Sequence, residues 1–410
     1  MRPRRVLIVS ENAPVPSDRR VWNEARALRD AGWEVAIVCA QGETRHAEPY
    51  ERLEDIDIHR FPLRPAAGGL AGYAREYGQA LWRIRRLARR LAAQAPFDVV
   101  HACNPPDFLL LAVRGLRRQG TRLVFDHHDL VPELYASKFG GEGGPMLRVA
   151  RALEQIAFRT ADVVLATNES YREIALTRGR RAPEDVFVVR NGPDVERFRP
   201  VDPDPALRQG RRFLVGYLGI MGPQDGVDHA LRALAWLRER RDDVQAVLIG
   251  EGESLPTMRA LAAELGIADR VDFAGWRYDD DIRRILSSCD VCLAPDPPSP
   301  LNDVSTMIKI PEYLAMGCPV ASYDLRESRR SAGDAAAYAR PGDPDDLGRV
   351  VGELLDDPAR RERMGAAGQA AVRDRLAWQH QVPGLLAAYD RALGLPAPRP
   401  VAAEPALSGA

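Results

Sequence analysis

The chain has 410 residues, of which 45% are hydrophobic and 28% charged, and its formal net charge is −1 at neutral pH. This length fits two or three domains of ordinary size. The near-zero charge argues against a dedicated nucleic-acid-binding protein, and no apolar run reaches the ~20 residues that span a membrane. The basic and then apolar start of the chain is too short for a signal-peptide core. We therefore expect a cytoplasmic protein and leave open a contact with the inner face of the membrane.

Short apolar runs alternate with helical stretches through the first half of the chain. The runs are rich in β-branched residues and are bounded by Gly, Pro, Asp or Asn, as expected for buried parallel strands. They cover residues 6–10, 35–39, 98–102, 123–126, 163–166 and 186–189. Strands that alternate with helices in this way predict a doubly wound α/β domain.

The alternation begins again after residues 197–210, a linker candidate with three prolines and few large apolar side chains. The second series of strands covers residues 213–218, 244–249, 271–273, 291–294 and 320–323. We predict two Rossmann-like domains, residues 1–200 and 201–375, that face each other across a ligand cleft. Residues 376–394 predict a last helix, a candidate to cross back to the first domain. The Pro/Ala-rich residues 395–410 predict a disordered tail.

The most informative segment, residues 302–320, runs from a loop through a helix to a glycine and a strand. Pro311 suits the first helical turn, so the preceding amides would point out of a helix N-terminus and stabilise an anion. Those amides belong to Ser305, Thr306, Met307 and Ile308. Lys309 adds a positive charge, and Glu312 can accept hydrogen bonds from both hydroxyls of a ribose. A nucleoside diphosphate fits all three features; the alternative is that Lys309 and Glu312 only favour the helix start.

The loop after the first strand leads into a helix whose start carries Asp18, Arg19 and Arg20. A cation at a helix N-terminus is unfavourable because of the helix dipole. These three residues are therefore candidates to contact a phosphate or the acceptor. The alternative is a solvated helix start in which the arginines pair with Asp18 or Glu24.

Five motifs, in this order and spacing, resemble the glycosyltransferase family 4 enzymes of GT-B fold. They are Arg190-Asn191-Gly192-Pro193-Asp194 with Phe198 and Pro200, Leu218-Gly219 with Gly226-Val227, Ile249-Gly250-Glu251-Gly252, Phe273-Ala274-Gly275-Trp276, and Glu312-Tyr313-Leu314-Ala315 with Gly317-Cys318-Pro319-Val320. The resemblance runs from about residue 5 to about residue 392. It implies a retaining transfer of sugar from a nucleotide-sugar donor, without a metal and with no cofactor beyond that co-substrate.

The resemblance also implies roles for single residues. Glu312 matches the glutamate that holds the donor ribose, Gly219 belongs to a donor-site motif, and relatives bind the base through the backbone near Trp276 and Arg277. The leaving diphosphate itself assists the incoming hydroxyl, so the protein supplies charge stabilisation and orientation. Lys309, the loop amides and Arg19 or Arg20 are the candidates for that task.

Three positions depart from the family pattern. Val304 stands where a second glutamate is usual, and Ile220 and Asp225 replace an arginine and a lysine that grip the diphosphate. We expect Lys309 and the N-terminal loop to compensate for the two lost cations.

Three histidines, His101, His127 and His128, lie at the ends of predicted strands. The run from Phe125 to Leu130 resembles a family segment that carries a histidine of the catalytic site, and His128 is the better match, with His127 second. A near-neutral pKa would let this imidazole hydrogen-bond the donor sugar or the acceptor. We predict no metal site, because the histidines lack carboxylates or cysteines at matching spacing.

Residues 73–94 predict a basic amphipathic helix, with Arg83, Arg86 and Arg90 on one face. Such a face can meet anionic lipid headgroups, which makes it the candidate for peripheral membrane contact; the alternative is a crossover helix with a solvated face.

The sequence thus predicts a glycosyltransferase whose acceptor is a glycan, a lipid-linked molecule or a small molecule. Two other functions stay open: a sugar-nucleotide epimerase or coupling enzyme on the same fold, and a catalytically silent nucleotide-sugar-binding protein.

Overall fold

The computed structural model of the protein describes residues 2–42, 46–63, 69–139 and 144–396. These residues form two α/β domains, each built on a mainly parallel sheet, so the predicted fold class is confirmed. The tail predicted for residues 395–410 lies outside the described residues from 397 onward. The helices in the described ranges include none that is both long and apolar enough to cross a membrane.

The described residues of the first domain form eight strands and six α-helices. The strands are β1 (Arg5–Val9), β2 (Glu34–Ala40), β3 (Tyr50–Leu53), β4 (Ile56–Phe61), β5 (Val99–Cys103), β6 (Arg122–His127), β7 (Val163–Ala166) and β8 (Val186–Val188). The helices are α1 (Arg19–Asp30), α2 (Gly69–Gln94), α3 (Leu109–Val113), α4 (Val131–Phe139), α5 (Pro145–Thr160) and α6 (Glu169–Thr177), with 3₁₀ turns at Arg114–Gln119 and Pro183–Asp185. The sheet order is β3-β4-β2-β1-β5-β6-β7-β8, parallel except for the β3–β4 pair.

The second domain contains a six-stranded parallel sheet. Its strands are β9 (Phe213–Leu218), β10 (Val244–Ile249), β11 (Val271–Gly275), β12 (Val291–Ala294), β13 (Val320–Tyr323) and β14 (Ala336–Ala339), in the order β11-β10-β9-β12-β13-β14. The α-helices are α7 (Val227–Arg238), α8 (Leu255–Glu264), α9 (Asp279–Ser288), α10 (Lys309–Ala315), α11 (Arg326–Ala332), α12 (Pro344–Asp356), α13 (Pro358–Ala371) and α14 (Val382–Ala392). Shorter turns lie at Pro205–Arg208, Gly333–Ala335, Val372–Leu376 and Trp378–His380.

Both faces of the central strands are buried, which explains why they read as continuous apolar runs. In β1, Leu7 and Val9 join one core cluster with Ile84 of α2, whereas Val6 and Ile8 join a second cluster on the other face. Side chains of a strand alternate between faces, so helices must cover both sides of the sheet. This layering places the loops at the carboxyl ends of the strands beyond the core, where a ligand can reach them.

The last helix, α14, packs on the first domain although it follows the second in sequence. The Tyr389 hydroxyl lies 2.8 Å from His101 Nδ1, and the Tyr389 ring meets Trp33 edge to face with centroids 5.1 Å apart. Buried tyrosines usually need such a polar partner for the hydroxyl. The end of the chain thus ties the two domains together.

Candidate active site

The carboxyl ends of the two sheets face each other. Arg19 begins the helix after β1, Asn168 and Tyr171 follow β7, and their partners lie in the segment after β12 of the other domain. The polar contacts between the domains include Arg19 with Glu312 at 3.0 Å, Asn168 Nδ2 with the Val304 carbonyl at 2.9 Å, and Tyr171 with Ser305 at 3.0 Å between oxygens. A ligand held between strand ends of two such sheets touches both domains.

Arg20 lies below this edge, inside the first domain. Its Nε and Nη2 donate to the two carboxylate oxygens of Asp126 at 2.7 Å each, and Nη1 donates to the Val189 carbonyl at 2.9 Å and to Asn191 Oδ1 at 2.8 Å. Glu24 lies 3.2 Å from Nη2. Four N–H groups of the guanidinium are therefore hydrogen-bonded within the domain, and Glu24 adds a second carboxylate as an ion-pair partner. The structure pairs Arg20 with Glu24, as in the alternative, but Arg20 is buried and bound mainly to Asp126, so this part of the helix start is not solvated.

His128 directly follows β6, at the carboxyl end of this strand. Its Nδ1 lies 3.0 Å from Asp126 Oδ2, and 12% of the side chain is exposed. Burial alone would lower the pKa of His128, but the charge and hydrogen bond of Asp126 raise it to about 9. The near-neutral pKa expected from the sequence is therefore wrong. At neutral pH the ring is an imidazolium, which donates hydrogen bonds and accepts none.

Asp126 is the centre of this buried network. Burial by itself would raise the pKa of Asp126, yet the Arg20 and His128 cations hold it well below its usual range. Because the carboxylate stays ionised, it fixes the ring orientation of His128.

Asn104 holds the loop that carries His128, and our sequence analysis did not identify it. Its Oδ1 accepts from the backbone N–H of His128 at 2.8 Å and of Asp129 at 3.0 Å, while its Nδ2 donates to Asp107 at 2.7 Å. The signal that could have found it is its place at the end of β5, next to the strand of His128 in the sheet.

His127 does not reach the cleft. The ring is fully buried, its centroid lies 4.9 Å from Phe158, and its Nε2 lies 3.5 Å from Glu154. Alternation along β6 turns neighbouring side chains to opposite faces, so His128 and His127 cannot both face the ligand. We correct the sequence-based candidacy of His127 accordingly.

Asp18 caps the helix that Arg19 begins. Its Oδ1 accepts from the Val21 N–H at 3.2 Å, which satisfies one of the free amides at a helix start. Asp18 thus has a local structural task, and its contact with phosphate or acceptor stays a prediction.

One group of metal-ligand-type side chains comes together in the described part of the chain. Glu24, His101, Cys103 and Asp126 have ligand atoms within 4.8 Å of one another, and all four are buried. The Arg20 guanidinium already pairs with both carboxylates there. The guanidinium thus supplies a positive charge to both carboxylates of this group.

Lys309 begins α10 and is buried beside the loop that follows β9. Its Nζ lies 2.6 Å from Asp296 Oδ1 and 5.1 Å from the centre of the Tyr217 ring. A Cβ added to Gly219 would come within 3.2 Å of the lysine Cε, so the glycine lets the loop approach the ammonium. Burial opposes the charge, but Asp296 raises the pKa of Lys309 above its ordinary value. The partner Asp296 was missed by the sequence analysis.

The loop after β9 contains Ile220 and Asp225, two of the residues that depart from the family pattern. Ile220 is 67% exposed and only its backbone is used, as the acceptor of the Tyr217 hydroxyl at 2.8 Å. Asp225 closes the loop, because its Oδ2 accepts a hydrogen bond of 3.0 Å from the Gly222 N–H. The loop is packed tightly, since a Cβ on Gly250, whose φ is +132°, would lie 1.8 Å from the Gly219 carbonyl oxygen.

Glu312 is buried in the first turn of α10 and meets Arg19 across the domain boundary. Arg19 Nη1 donates to Glu312 Oε1 at 3.0 Å, and Arg19 Nη2 lies 3.5 Å from Asp279 Oδ1. Burial raises the pKa of Glu312 to about 7, with Arg19 opposing it. The structure therefore brings together two residues that we predict to contact the ligand, Arg19 of the first domain and Glu312 of the second.

The segment before α10 is held by the first domain. Asn168 Nδ2 donates to Thr306 Oγ1 at 3.0 Å as well as to the Val304 carbonyl, and Tyr171 holds Ser305. Val304 packs against the core of the first domain, which accounts for an apolar residue at that position. Helix α10 begins at Lys309, so the expected helical amides of residues 305–308 instead belong to the loop that precedes the helix. Within it, Met307 is partly buried and Ile308 is half exposed.

Trp276 and Arg277 lie at the carboxyl end of β11, where the ring of Trp276 is 56% exposed. The Trp276 N–H lies 3.3 Å from Glu251 Oε1, and Arg277 Nη1 donates to the Trp276 carbonyl at 3.1 Å. An exposed aromatic ring at a strand end offers a flat apolar surface to a base.

The fold and the site thus define a protein of two facing α/β domains, with a buried carboxylate, Glu312, and a buried lysine, Lys309, at the edge where the domains meet. The sequence profile of Glycosyltransferase Family 4 matches residues 17–197, and that of Glycosyl transferases group 1 matches residues 212–357. The chain belongs to glycosyltransferase family 4, and it is a glycosyltransferase.

Similar proteins agree with this assignment. The chain is 28% identical over 404 residues to MMP alpha-(1->4)-mannosyltransferase of Mycolicibacterium hassiacum, covering 90% of this chain and 93% of the relative. It is 30% identical over 308 residues to GDP-mannose-dependent alpha-(1-6)-phosphatidylinositol monomannoside mannosyltransferase of Mycobacterium tuberculosis, covering 71% and 75%. The structure of sucrose-phosphate synthase from Thermosynechococcus elongatus superimposes with a TM-score of 0.77 at 17% identity, covering 95% and 99%. The epimerase, coupling-enzyme and silent-binder alternatives are not favoured.

Proposed function

We propose that the protein transfers a sugar with retention, and without a metal ion, from a nucleoside-diphosphate donor to a glycan, lipid-linked or small-molecule acceptor. The observation that carries the proposal is the position of Glu312, buried on the second domain and 3.0 Å from Arg19 of the first. A carboxylate there can accept both ribose hydroxyls at the point where the two domains meet.

The donor lies along the second domain. Glu312 holds the ribose, the base stacks near Trp276 and Arg277, and the diphosphate meets Lys309 and the loop at Gly219. Asp296 uses one of the three N–H donors of the Lys309 ammonium. The ammonium also contacts the Tyr217 hydroxyl, and its positive charge stabilises the charge on the leaving group. The amides and side chains of Ser305, Thr306, Met307 and Ile308 complete the loop around the phosphates.

Arg19 changes partner when the donor binds. The ribose hydroxyls take the place of Arg19 on Glu312, and the released guanidinium turns to the diphosphate. This movement supplies one of the cations lost at Ile220 and Asp225, because guanidinium binds phosphate oxygens in pairs.

The chemical step needs no protein nucleophile. The acceptor hydroxyl attacks the anomeric carbon as the bond from that carbon to the phosphate oxygen breaks, and the hydroxyl proton passes to the leaving phosphate on the same face. The His128 imidazolium donates a hydrogen bond to the donor sugar and orients it.

A lipid-linked acceptor would place the protein at the inner face of the membrane. The mycobacterial relative acts, by its name, on a phosphatidylinositol mannoside. Helix α2, which contains residues 73–94, exposes Arg86 and Arg90 as well as Trp82, and the Trp82 ring lies 5.4 Å from the Arg86 guanidinium. An exposed tryptophan beside arginines suits a lipid–water interface. We assign peripheral contact to this helix.

The test first measures the binding of nucleoside diphosphates and then determines the anomeric configuration of the product. We expect one class of nucleoside diphosphate to raise the melting temperature in the presence of EDTA, and the matching nucleotide sugar to give a product whose anomeric configuration, read by NMR, equals that of the donor. An inverted product, or a requirement for divalent cations, would refute the retaining, metal-independent assignment.

Replacing Glu312 by glutamine should remove the part of the pH dependence of donor binding that comes from this carboxyl group. The carboxylate form accepts both ribose hydroxyls and the protonated form cannot, and the pKa of Glu312 is raised to about 7. In the wild type the affinity for the nucleoside diphosphate should therefore rise as the pH increases from 6 to 8. We would measure Kd by calorimetry across this range. The glutamine variant also corrects for titration of the phosphate itself; parallel pH profiles for the two proteins would contradict the ribose role.

A further inference from the structure

A second concave site lies in the first domain, at the end of the sheet opposite the candidate active site. It is a cavity of about 520 Å³ between helix α2, the 3₁₀ turn at Arg114–Gln119 and the end of α5. That turn leads into β6 and α5 leads into β7, so the cavity is at the amino ends of these strands. Six arginines line it: Arg85, Arg89, Arg114, Arg117, Arg118 and Arg159.

Among the described residues, carboxylates balance only part of the positive charge in this cavity. Arg117 pairs with Asp162 at 2.9 Å. The other five arginines have no carboxylate partner among the described residues, and all six are exposed. The whole chain carries a net charge of only −1, so the cluster is a local concentration of like charges. Such a group is self-repelling, and an anion between the guanidinium groups relieves the repulsion.

The six arginine side chains that line the cavity are suited to bind phosphate groups. Guanidinium groups are planar and donate paired hydrogen bonds that match phosphate oxygens. The floor of the cavity is apolar, with Ala88, Ala112 and Leu116 beneath the arginines. The exposed Trp82 lies on the same face of α2 as Arg85 and Arg89, three and seven residues along the helix.

We propose that this cavity binds the phosphate groups of an anionic ligand. The proposal rests on the membrane contact proposed above for α2 and adds the chemical group that is bound there, whereas it does not depend on sugar transfer. Two sources share this chemistry, a phospholipid headgroup and a soluble polyphosphate. The adjacent Trp82 and the proposed contact of α2 with a membrane favour the headgroup.

The test compares two double variants of the full chain. Arg89→Gln/Arg118→Gln removes two charges from the cavity, and Arg232→Gln/Arg363→Gln removes two exposed arginines of the second domain that likewise have no carboxylate partner among the described residues. The probes are vesicles of phosphatidylcholine with phosphatidylglycerol, vesicles of phosphatidylcholine alone, and inorganic tripolyphosphate. Vesicle binding is followed by co-sedimentation, and tripolyphosphate binding by calorimetry.

We expect the cavity variant to bind anionic vesicles about 25-fold more weakly than the wild type, since each basic residue near the surface contributes about fivefold. The second-domain variant should keep wild-type binding. Loss of tripolyphosphate binding in the cavity variant, with no binding to vesicles, would identify a soluble ligand in the same cavity. A wild type that binds neither probe, or two variants that weaken binding equally, would overturn the proposal. A Glu312→Ala variant should retain vesicle binding, so failure of the donor site is distinguishable from failure of this one.

Discussion

Lys309→Met is expected to lower kcat/KM by about 100-fold and also to destabilise the second domain. The first effect follows from the loss of a charge-assisted contact with the leaving diphosphate, worth ~1.5–3 kcal/mol. The second follows because Asp296, whose Oδ1 lies 2.6 Å from the lysine Nζ, would be left buried and unpaired. Removing one partner of a buried ion pair typically costs about 3–5 kcal/mol.

A double variant separates the two effects. In Lys309→Met/Asp296→Asn neither residue is charged, so the free energy of unfolding, measured with urea, should return to within ~1–2 kcal/mol of the wild type. Activity should stay low, because the cation is still absent. Recovery of activity together with stability would show that Lys309 only supports the fold and has no direct role at the phosphate.

The strands that the sequence predicted most closely are those buried on both faces. The bounds expected for Val163–Ala166 and Phe213–Leu218 agree with the structure, because β-branched runs flanked by turn residues have few other stable arrangements. The pair Tyr50–Leu53 and Ile56–Phe61 was missed. The first of these strands alternates between exposed and partly buried residues at the sheet edge, and so has no continuous apolar signal.

The residues of the candidate site also fall into those that a local sequence pattern predicts and those that it does not. Lys309 and Glu312 could be found because their spacing and the glycine after the helix form a local pattern. Their pairings could not be found, since Asp296 lies 13 residues from Lys309 in sequence and Arg19 lies 293 residues from Glu312. The first contact depends on the path of a loop within the second domain and the other on how the two domains meet, and no local pattern encodes either. His127 and His128 illustrate the limit, because only the pleat of β6 decides which of them faces the cleft.

The buried network around Asp126 leads to the second large effect. Arg20→Met should lower the free energy of unfolding by about 3–5 kcal/mol, because Asp126 and Glu24 would lose the only guanidinium that the described structure places between them. Arg26→Met is the matched control on the same helix. Arg26 pairs with Glu54 at 3.0 Å where both side chains are 41% exposed, and exposed pairs contribute about 0–1 kcal/mol. Chemical denaturation of both variants measures the difference, and equal losses would show that burial of the Arg20 pair is of no consequence.

Arg20→Met should also impair turnover more than donor binding. Asp126 fixes the His128 ring at 3.0 Å, and without Arg20 the carboxylate is no longer held by two hydrogen bonds of 2.7 Å. The imidazolium would then lose its orientation toward the donor sugar, whereas Glu312 and Lys309 sit on the other domain and keep their contacts with the nucleotide. We expect kcat to fall at least tenfold while the Kd of the nucleoside diphosphate, measured below the melting temperature, changes less than twofold. A residue that only stabilised the fold would leave kcat of the folded fraction unchanged, so this split identifies Arg20 as a positioning residue for His128.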